Sequence, residues 1–354
     1  MSANDEGASA AVEASLDDRK SAILRAIVEQ YVASAQPVGS STVTRSADLG
    51  VSAATVRNEM SLLEREGYIA QPHTSAGRVP TDRGYRYYVD HLAGATTLPA
   101  HERRRIADFF TSASLAMDDL LLQTSQLLAG VTAHAALVVG PQTEAVVIRG
   151  AHLVLLQPRV VLAVVILSNG AVEKQVVFVD DDISEQEVAH ASARLAQQLD
   201  GRRLSDLPAV PDEVRGKDTI TDRVAIASYA ALRSHVGVNH PEPQSVGGAS
   251  RLAAEPEAFS GTTVARLIEL LEQHVVLASL MREMLGPGLT VRIGSENVSA
   301  DLQECSLVLA PYLVEGELLG TVGVLGPTRM DYRKAQAAVT AVSQRLGRQL
   351  SPGP

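Results

Sequence analysis

Between Ser52 and Ser61 the chain carries the side chains a protein uses to read base edges. Val56, Met60 and Leu63 recur at i, i+4 and i+7, so one helix face is apolar and the opposite face presents Ser52, Ala53, Thr55, Arg57, Asn58 and Ser61. Arginine bonds guanine bidentately, asparagine bonds adenine, serine and threonine reach bases or phosphate, and alanine meets the thymine methyl. A solvated helix face carries similar residues, so the stretch that follows matters. Pro72-His73-Thr74-Ser75-Ala76-Gly77-Arg78-Val79-Pro80 reads as a Pro/Gly loop between two short strands. His73, Thr74 and Ser75 are short donors, Arg78 is a cation, and Gly77 supplies the backbone freedom of a tight tip, a set that suits phosphate or minor-groove contact.

The elements that position these residues are legible on both sides. Ser15 and Asp18 form a capping-box-like pair, and Ile23, Ile27 and Tyr31 with Leu24 and Val28 make the stripe of a first helix. Pro37 and Gly39 break it, Ser40 to Ala47 offers a short second helix, and Asp48-Leu49-Gly50 turns the chain. Ser52 caps the third helix, which runs to about Glu66 and stops at Gly67. Thr81 caps another helix, on which Tyr85, Tyr88, Val89 and Leu92 are spaced to pack back. Two short helices after a longer one, followed by a wing, make a winged helix-turn-helix over residues 16–93. Residues 1–15 are acidic and rich in small side chains, lack the basic flank and apolar stretch of a signal peptide, and read as a disordered leader. Residues 94–100 read as a linker.

Beyond the linker, His101 to Gly130 is helical in pattern, and Val138 to Val179 contains three or four β-branched runs. Val160–Ser168 and Val172–Val179 around Asn169-Gly170 predict a hairpin. Ser184 and Glu187 form a capping box opening a helix to Leu199. Residues 200–256 collect Pro, Gly and Asp, with one helical stretch near Asp222 to Ser234. One long helix is expected from Thr262 to Leu285, then strands at Leu289–Ile293, Ser306–Val314 and Leu318–Leu325, then a helix from about Asp331. Helices flanking an antiparallel sheet imply an α+β region interrupted by an insert.

The remaining chemical signals are weak. The glycines at 320, 323 and 326 do not have GxGxxG spacing and suit a closely packed strand. Asp180-Asp181-Asp182 precedes a capped helix, where negative charge favours the helix dipole, so no metal is assigned to it. The nine histidines show no HxxxH or HExxH spacing, and no GxSxG anchors a hydrolytic triad. No cofactor and no enzymatic activity are expected. Cys305, the single cysteine, excludes an intrachain disulfide and suits a reducing cytoplasm as a buried small hydrophobe.

With a net charge of −10 over 354 residues, general affinity for polyanions is not expected, and any DNA site must be local. Leu16 to Leu92 holds nine Lys and Arg against nine Asp and Glu, so placement must carry the discrimination. Arg45, Arg57, Arg78, Arg83 and Arg86 are expected to gather where helix and wing face DNA. A single short recognition helix reads too few base pairs to compete with non-specific sites, which calls for a homodimer on an inverted repeat. The longest apolar run, Val160 to Leu167, is too short to span a bilayer, so no membrane association is expected.

The run SAATVRNEMSLLEREGYIAQPHTSAGRVPTDRGYRYYVD, Ser52 to Asp90, closely resembles the winged-helix segment of the heat-inducible transcription repressor family HrcA. IGSEN at Ile293 to Asn297, CSLVLAPY from Cys305 and GTVGVLGPTRMDY from Gly320 look like that family's C-terminal signature, so the resemblance covers nearly everything after residue 16. SRLAAEPEAF at Ser250 to Phe259 departs from the family's usual wording. The resemblance implies a GAF-like α+β regulatory domain, assigned to residues 101–181 and 260–349, with an inserted dimerisation region at 182–259. It further implies repression of chaperone genes through an inverted-repeat operator, loss of repression on heat stress, and dependence on the chaperonin for the active form. GAF-like folds often hold ligands, so a small-molecule-responsive repressor of other genes is the alternative.

Overall fold

The computed structural model describes residues 16–46, 50–73, 76–94, 97–112, 117–140, 147–168, 172–203, 219–239, 244–254, 259, 261–314 and 316–351. Helices and sheets are mixed, and the chain divides into two compact units. The first comprises residues 1–95 together with Thr328–Arg333, and the second holds the rest.

In the first unit, α1 (Asp18–Ser34) starts at Asp17, whose carboxylate accepts the Lys20 amide at 2.8 Å; Ser15, the expected cap, lies outside the described residues. Ile23, Leu24, Ile27 and Val28 are its buried stripe, and Ala35 closes it in the left-handed region with φ 54°. Helix α2 (Ser40–Ser46) and helix α3 (Ala53–Arg65) follow. Strands β1 (Ile69–Ala70) and β2 (Val79–Pro80) pair antiparallel, Ile69 with Pro80 and Ala70 with Val79, and Val38 bridges Arg78 as a third short rung. Thr81 caps α4 (Asp82–Tyr87), accepting the Gly84 amide at 3.2 Å while its hydroxyl donates to Gly67 O at 2.6 Å. Gly84 passes so close to β1 that a Cβ there would sit 2.1 Å from Tyr68 O. The helix widens to a π turn over Tyr88–Leu92. Tyr68 and Tyr87 meet edge to face with centroids 5.5 Å apart, and Tyr85 packs on Tyr332 at 5.6 Å.

The second unit begins with α5 (Ala100–Ser112) and α6 (Met117–Thr132), then β3 (Ala135–Val139). Strands β4 (Ile148–Gln157), β5 (Val160–Leu167) and β6 (Val172–Phe178) form a three-stranded antiparallel sheet of their own. The expected hairpin is present as β5 and β6 in register from Val160–Phe178 to Ile166–Val172. Helix α7 (Glu185–Leu199) has the expected Ser184–Glu187 capping box, and α8 (Ile220–Asn239) follows. These helices cover one face of that sheet, where Val161, Ala163, Val165, Val188, Leu195, Val224 and Tyr229 share a core. The expected insert boundary at 182 therefore falls inside this layer, because strands before it and helices after it share one apolar core.

Strand β7 (Gln244–Gly247), too short and polar to read from sequence, and the short α9 (Ser250–Ala253) return the chain to a second sheet. One continuous helix was expected from Thr262 to Leu285; the structure has α10 (Gly261–Glu272) and α11 (His274–Met284), separated at Gln273, whose ψ of 71° leaves the helical region. No Gly or Pro marks this break. Both halves bury their apolar residues, Leu267 and Leu271 on one and Leu277 and Met281 on the other, in the same core. Strands β8 (Thr290–Ile293), β9 (Cys305–Val314) and β10 (Glu317–Pro327) complete an antiparallel sheet in the order β7-β3-β10-β9-β8, and α12 (Tyr332–Leu350) ends the chain.

The C-terminal motifs are structural. Asn297 of IGSEN donates through Nδ2 to Gly294 O, Leu302 O and Cys305 O at 2.9 to 3.0 Å, pinning the loop that feeds β9. A Cβ at Gly320 would lie 2.2 Å from Val139 O and 2.4 Å from Tyr312 Oη, so that glycine permits strand packing. The acidic run pairs with arginines: Asp181 with Arg223 and Asp182 with Arg159, each at 2.6 Å. Burial pushes the Cys305 thiol up to about 12.

Candidate nucleic-acid interface

Helix α3 turns its apolar residues inward, Val56, Met60 and Leu63 being buried. Ser52, Ala53, Arg57 and Asn58 are exposed, and Thr55 and Ser61 half-buried, so the six residues expected on the polar face do share it. Their hydroxyls are partly engaged within the helix: Ser52 Oγ accepts the Thr55 amide at 3.2 Å and lies 3.1 Å from Thr55 Oγ1, and Ser61 donates to Arg57 O at 3.0 Å. Arg57 has no acidic partner among the described residues.

The loop after β1 is arranged differently from the sequence expectation. His73 is exposed; Thr74 and Ser75 lie outside the described residues. Gly77 does not adopt a positive φ. It is there for close approach, since a Cβ at this position would sit 2.5 Å from Val38 O. Arg78 is engaged by Glu64 of α3, with Nη2 and Nε at 2.8 and 3.0 Å from Oε2.

Arg83 donates to Glu66 O at 2.8 Å and stacks 4.5 Å over the Tyr68 ring, and Arg86 pairs with Asp90 at 3.1 Å. Of the five arginines expected to face DNA, Arg45, Arg57 and Arg83 are exposed without a carboxylate partner among the described residues, but Arg45 donates to Ser41 O of its own helix and Arg83 to Glu66 O. Sequence reasoning missed the residues that hold the frame. Lys20 bonds Glu66 at 2.7 Å, which raises the lysine's pKa, and Glu64 holds Arg78. Opposite charge is the only sequence signal for such pairs, and many pairings satisfy it.

The exposed polar face of α3 lies on the smaller, mainly helical unit, and the larger unit is mixed α/β. A family model described as HrcA protein C terminal domain matches residues 118–335. The heat-inducible transcription repressor HrcA of Rhodococcus jostii is 39% identical over 344 residues, covering 95% of this chain and 99% of that relative. Its namesake from a Nocardioides species is 41% identical over 340 residues, covering 95% and 99%. A solved structure described as a hypothetical protein shares the fold, with TM-score 0.69 and 23% identity, over 95% of this chain and 99% of that one. The class is therefore a transcriptional repressor and not an enzyme. The chain belongs to the heat-inducible transcription repressor HrcA family. Among the described residues, no helix is long and apolar enough to cross a membrane.

Proposed function

We propose that this protein is a winged helix-turn-helix repressor that binds an inverted-repeat operator ahead of chaperone genes as a homodimer. The observation that carries the reading is the division of α3, with Val56, Met60 and Leu63 buried while Arg57 and Asn58 stand exposed, without acidic partners among the described residues. Arg57 and Asn58 read bases in the major groove; Ser52, Ala53, Thr55 and Ser61 supplement them; and His73, Thr74, Ser75 and Gly77 add phosphate or minor-groove contacts. Arg78 serves by holding the wing to α3 and joins the phosphates only if it leaves Glu64.

Dimerisation is supported by the uncovered face of the three-stranded sheet. Val154 pairs with Leu162 and Leu162 with Val176 across the strands, Val160 pairs with Phe178, and Val154, Val176 and Phe178 are exposed. An exposed apolar row of this kind marks an interaction surface, and a second copy of the same sheet satisfies the symmetry of an inverted repeat. The second unit is the GAF-like regulatory domain in this reading. Its packing fails on heating, and the chaperonin restores it, so chaperonin availability sets the active fraction in the cytoplasm.

Purified protein mixed with fragments of the host genome tests the operator assignment directly. The expected result is enrichment of an inverted repeat upstream of chaperone genes. Enrichment of an unrelated or non-repeated site overturns it.

A further inference from the structure

In the second unit, a cleft of about 210 Å³ opens between α5 and α12, lined by Arg103, Ile106, Ala341, Gln344, Arg345 and Arg348. Three guanidinium groups line it and, among the described residues, no carboxylate does. That is a notable local excess in a chain of net charge −10. The acid nearest in sequence, Glu102, is already matched by Lys334 at 2.8 Å. Arg345 and Arg348 have no acidic or hydrogen-bonding partner among the described residues, and Arg103 spends one N–H on Leu98 O at 2.9 Å.

A cation in the last turn of a helix is favoured by the helix dipole, which accounts for Arg348 alone. Arg345 lies before that turn. Arg103 lies in the first turn of α5, where the dipole disfavours positive charge. Neither helix polarity nor internal pairing therefore explains why these arginines converge.

We infer that the α5–α12 cleft is an anion site for a diphosphate group, either free or at the end of a larger phosphate ester. Guanidinium forks match phosphate oxygens bidentately, and three of them supply charge for two adjacent phosphates. The cleft is smaller than the roughly 300–1,000 Å³ typical of sites that enclose a whole drug-sized ligand, so the phosphates are gripped and the rest of an ester projects outward. Ile106 and Ala341 offer the first atoms of that remainder an apolar wall, and Gln344 a neutral polar contact. A ligand bound here stabilises the folded second unit by mass action, which gives a route from the cell's phosphate-ester pool to the folded fraction.

The test is calorimetric titration of the full chain with inorganic pyrophosphate and, separately, with ADP at low ionic strength. The variants are Arg345→Ala/Arg348→Ala and, as a control on an exposed arginine of α5 outside the cleft lining, Arg104→Ala. The expected result is saturable binding of one or both probes that weakens with added salt, falls at least tenfold in the double variant, and is unchanged in Arg104→Ala. Pyrophosphate alone binding identifies the free anion as the occupant, and tighter binding of ADP identifies an ester. Operator binding of the double variant without ligand, and its unaltered circular dichroism, show that the fold survives. Absence of binding by both probes, or equal binding by the double variant, overturns the assignment. A loss of affinity for operator and random DNA in the double variant, without probe binding in the wild type, also overturns it and puts the cleft in the DNA footprint.

Discussion

Glu64 on α3 and Arg78 at the start of β2 form an ion pair of 2.8 Å, with their side chains 32% and 19% exposed. The pair ties the residue before β2 to α3, the helix that reads DNA in the proposed function. Because the guanidinium is engaged, it adds little free charge to the surface. Arg78→Ala should cost below about 1 kcal/mol of stability, as partly exposed pairs do, and should leave the salt dependence of DNA binding nearly unchanged. Fluorescence anisotropy across a salt series measures this. A slope reduced by about one unit shows instead that Arg78 leaves Glu64 for a phosphate.

Arg57 and Asn58 make the opposite prediction. Truncating either to alanine should weaken operator binding by roughly 1–3 kcal/mol and relax preference at one base position, with little change on random DNA. Operator affinity equal to wild type in both variants removes α3 as the reading helix.

Tyr332 belongs to the first unit although it lies far along the chain, and its fully buried ring packs on Tyr85. Tyr332→Ala should cost on the order of 3 kcal/mol as a large-to-small change in a packed site. Tyr85→Phe should be neutral or stabilising, because the buried Tyr85 hydroxyl has no hydrogen-bond partner among the described residues. A fragment ending near Leu92 should melt below the same residues in the full chain, since it lacks Thr328–Arg333. Thermal melts of these variants decide the matter, and an unchanged melt for Tyr332→Ala contradicts it.

The sheet of β4, β5 and β6 should hold the dimer. Phe178→Glu, at a side chain 76% exposed, should leave folding intact, convert the dimer to monomer in sedimentation, and weaken operator binding at least tenfold. A variant that remains dimeric moves the interface elsewhere.

Cys305 supplies a clock for the second unit. With the thiol held up to about 12 by burial, the thiolate is scarce at pH 8 in the folded chain and becomes available near its ordinary value on unfolding. A thiol reagent should therefore react slowly at the permissive temperature and fast after heating, in step with loss of operator binding. Chaperonin and ATP should restore both protection and binding. Fast labelling of fully active protein rules out packing loss as the switch.

The sequence alone determined most of the local structure that bears on the candidate site. Ser52, Thr81 and Ser184 cap the helices they were expected to cap, because an N-cap is satisfied by residues within three positions. The apolar spacing of Val56, Met60 and Leu63 likewise set which face of α3 stays exposed. What needed the tertiary structure was long-range choice. Gly77 was legible as an unusual residue, but only the approach of Val38 O explains it as a close-contact glycine. Arg78 looked like a free cation until Glu64 was placed beside it, and Tyr332 joined the first unit across more than two hundred residues of chain. The separation of the β4–β6 sheet from the five-stranded sheet was likewise invisible, since alternating apolar patterns say that a strand has a buried face and not which core buries it. Local hydrogen-bond geometry is written in neighbouring residues, whereas charge pairing and core membership depend on which distant partner the fold brings near.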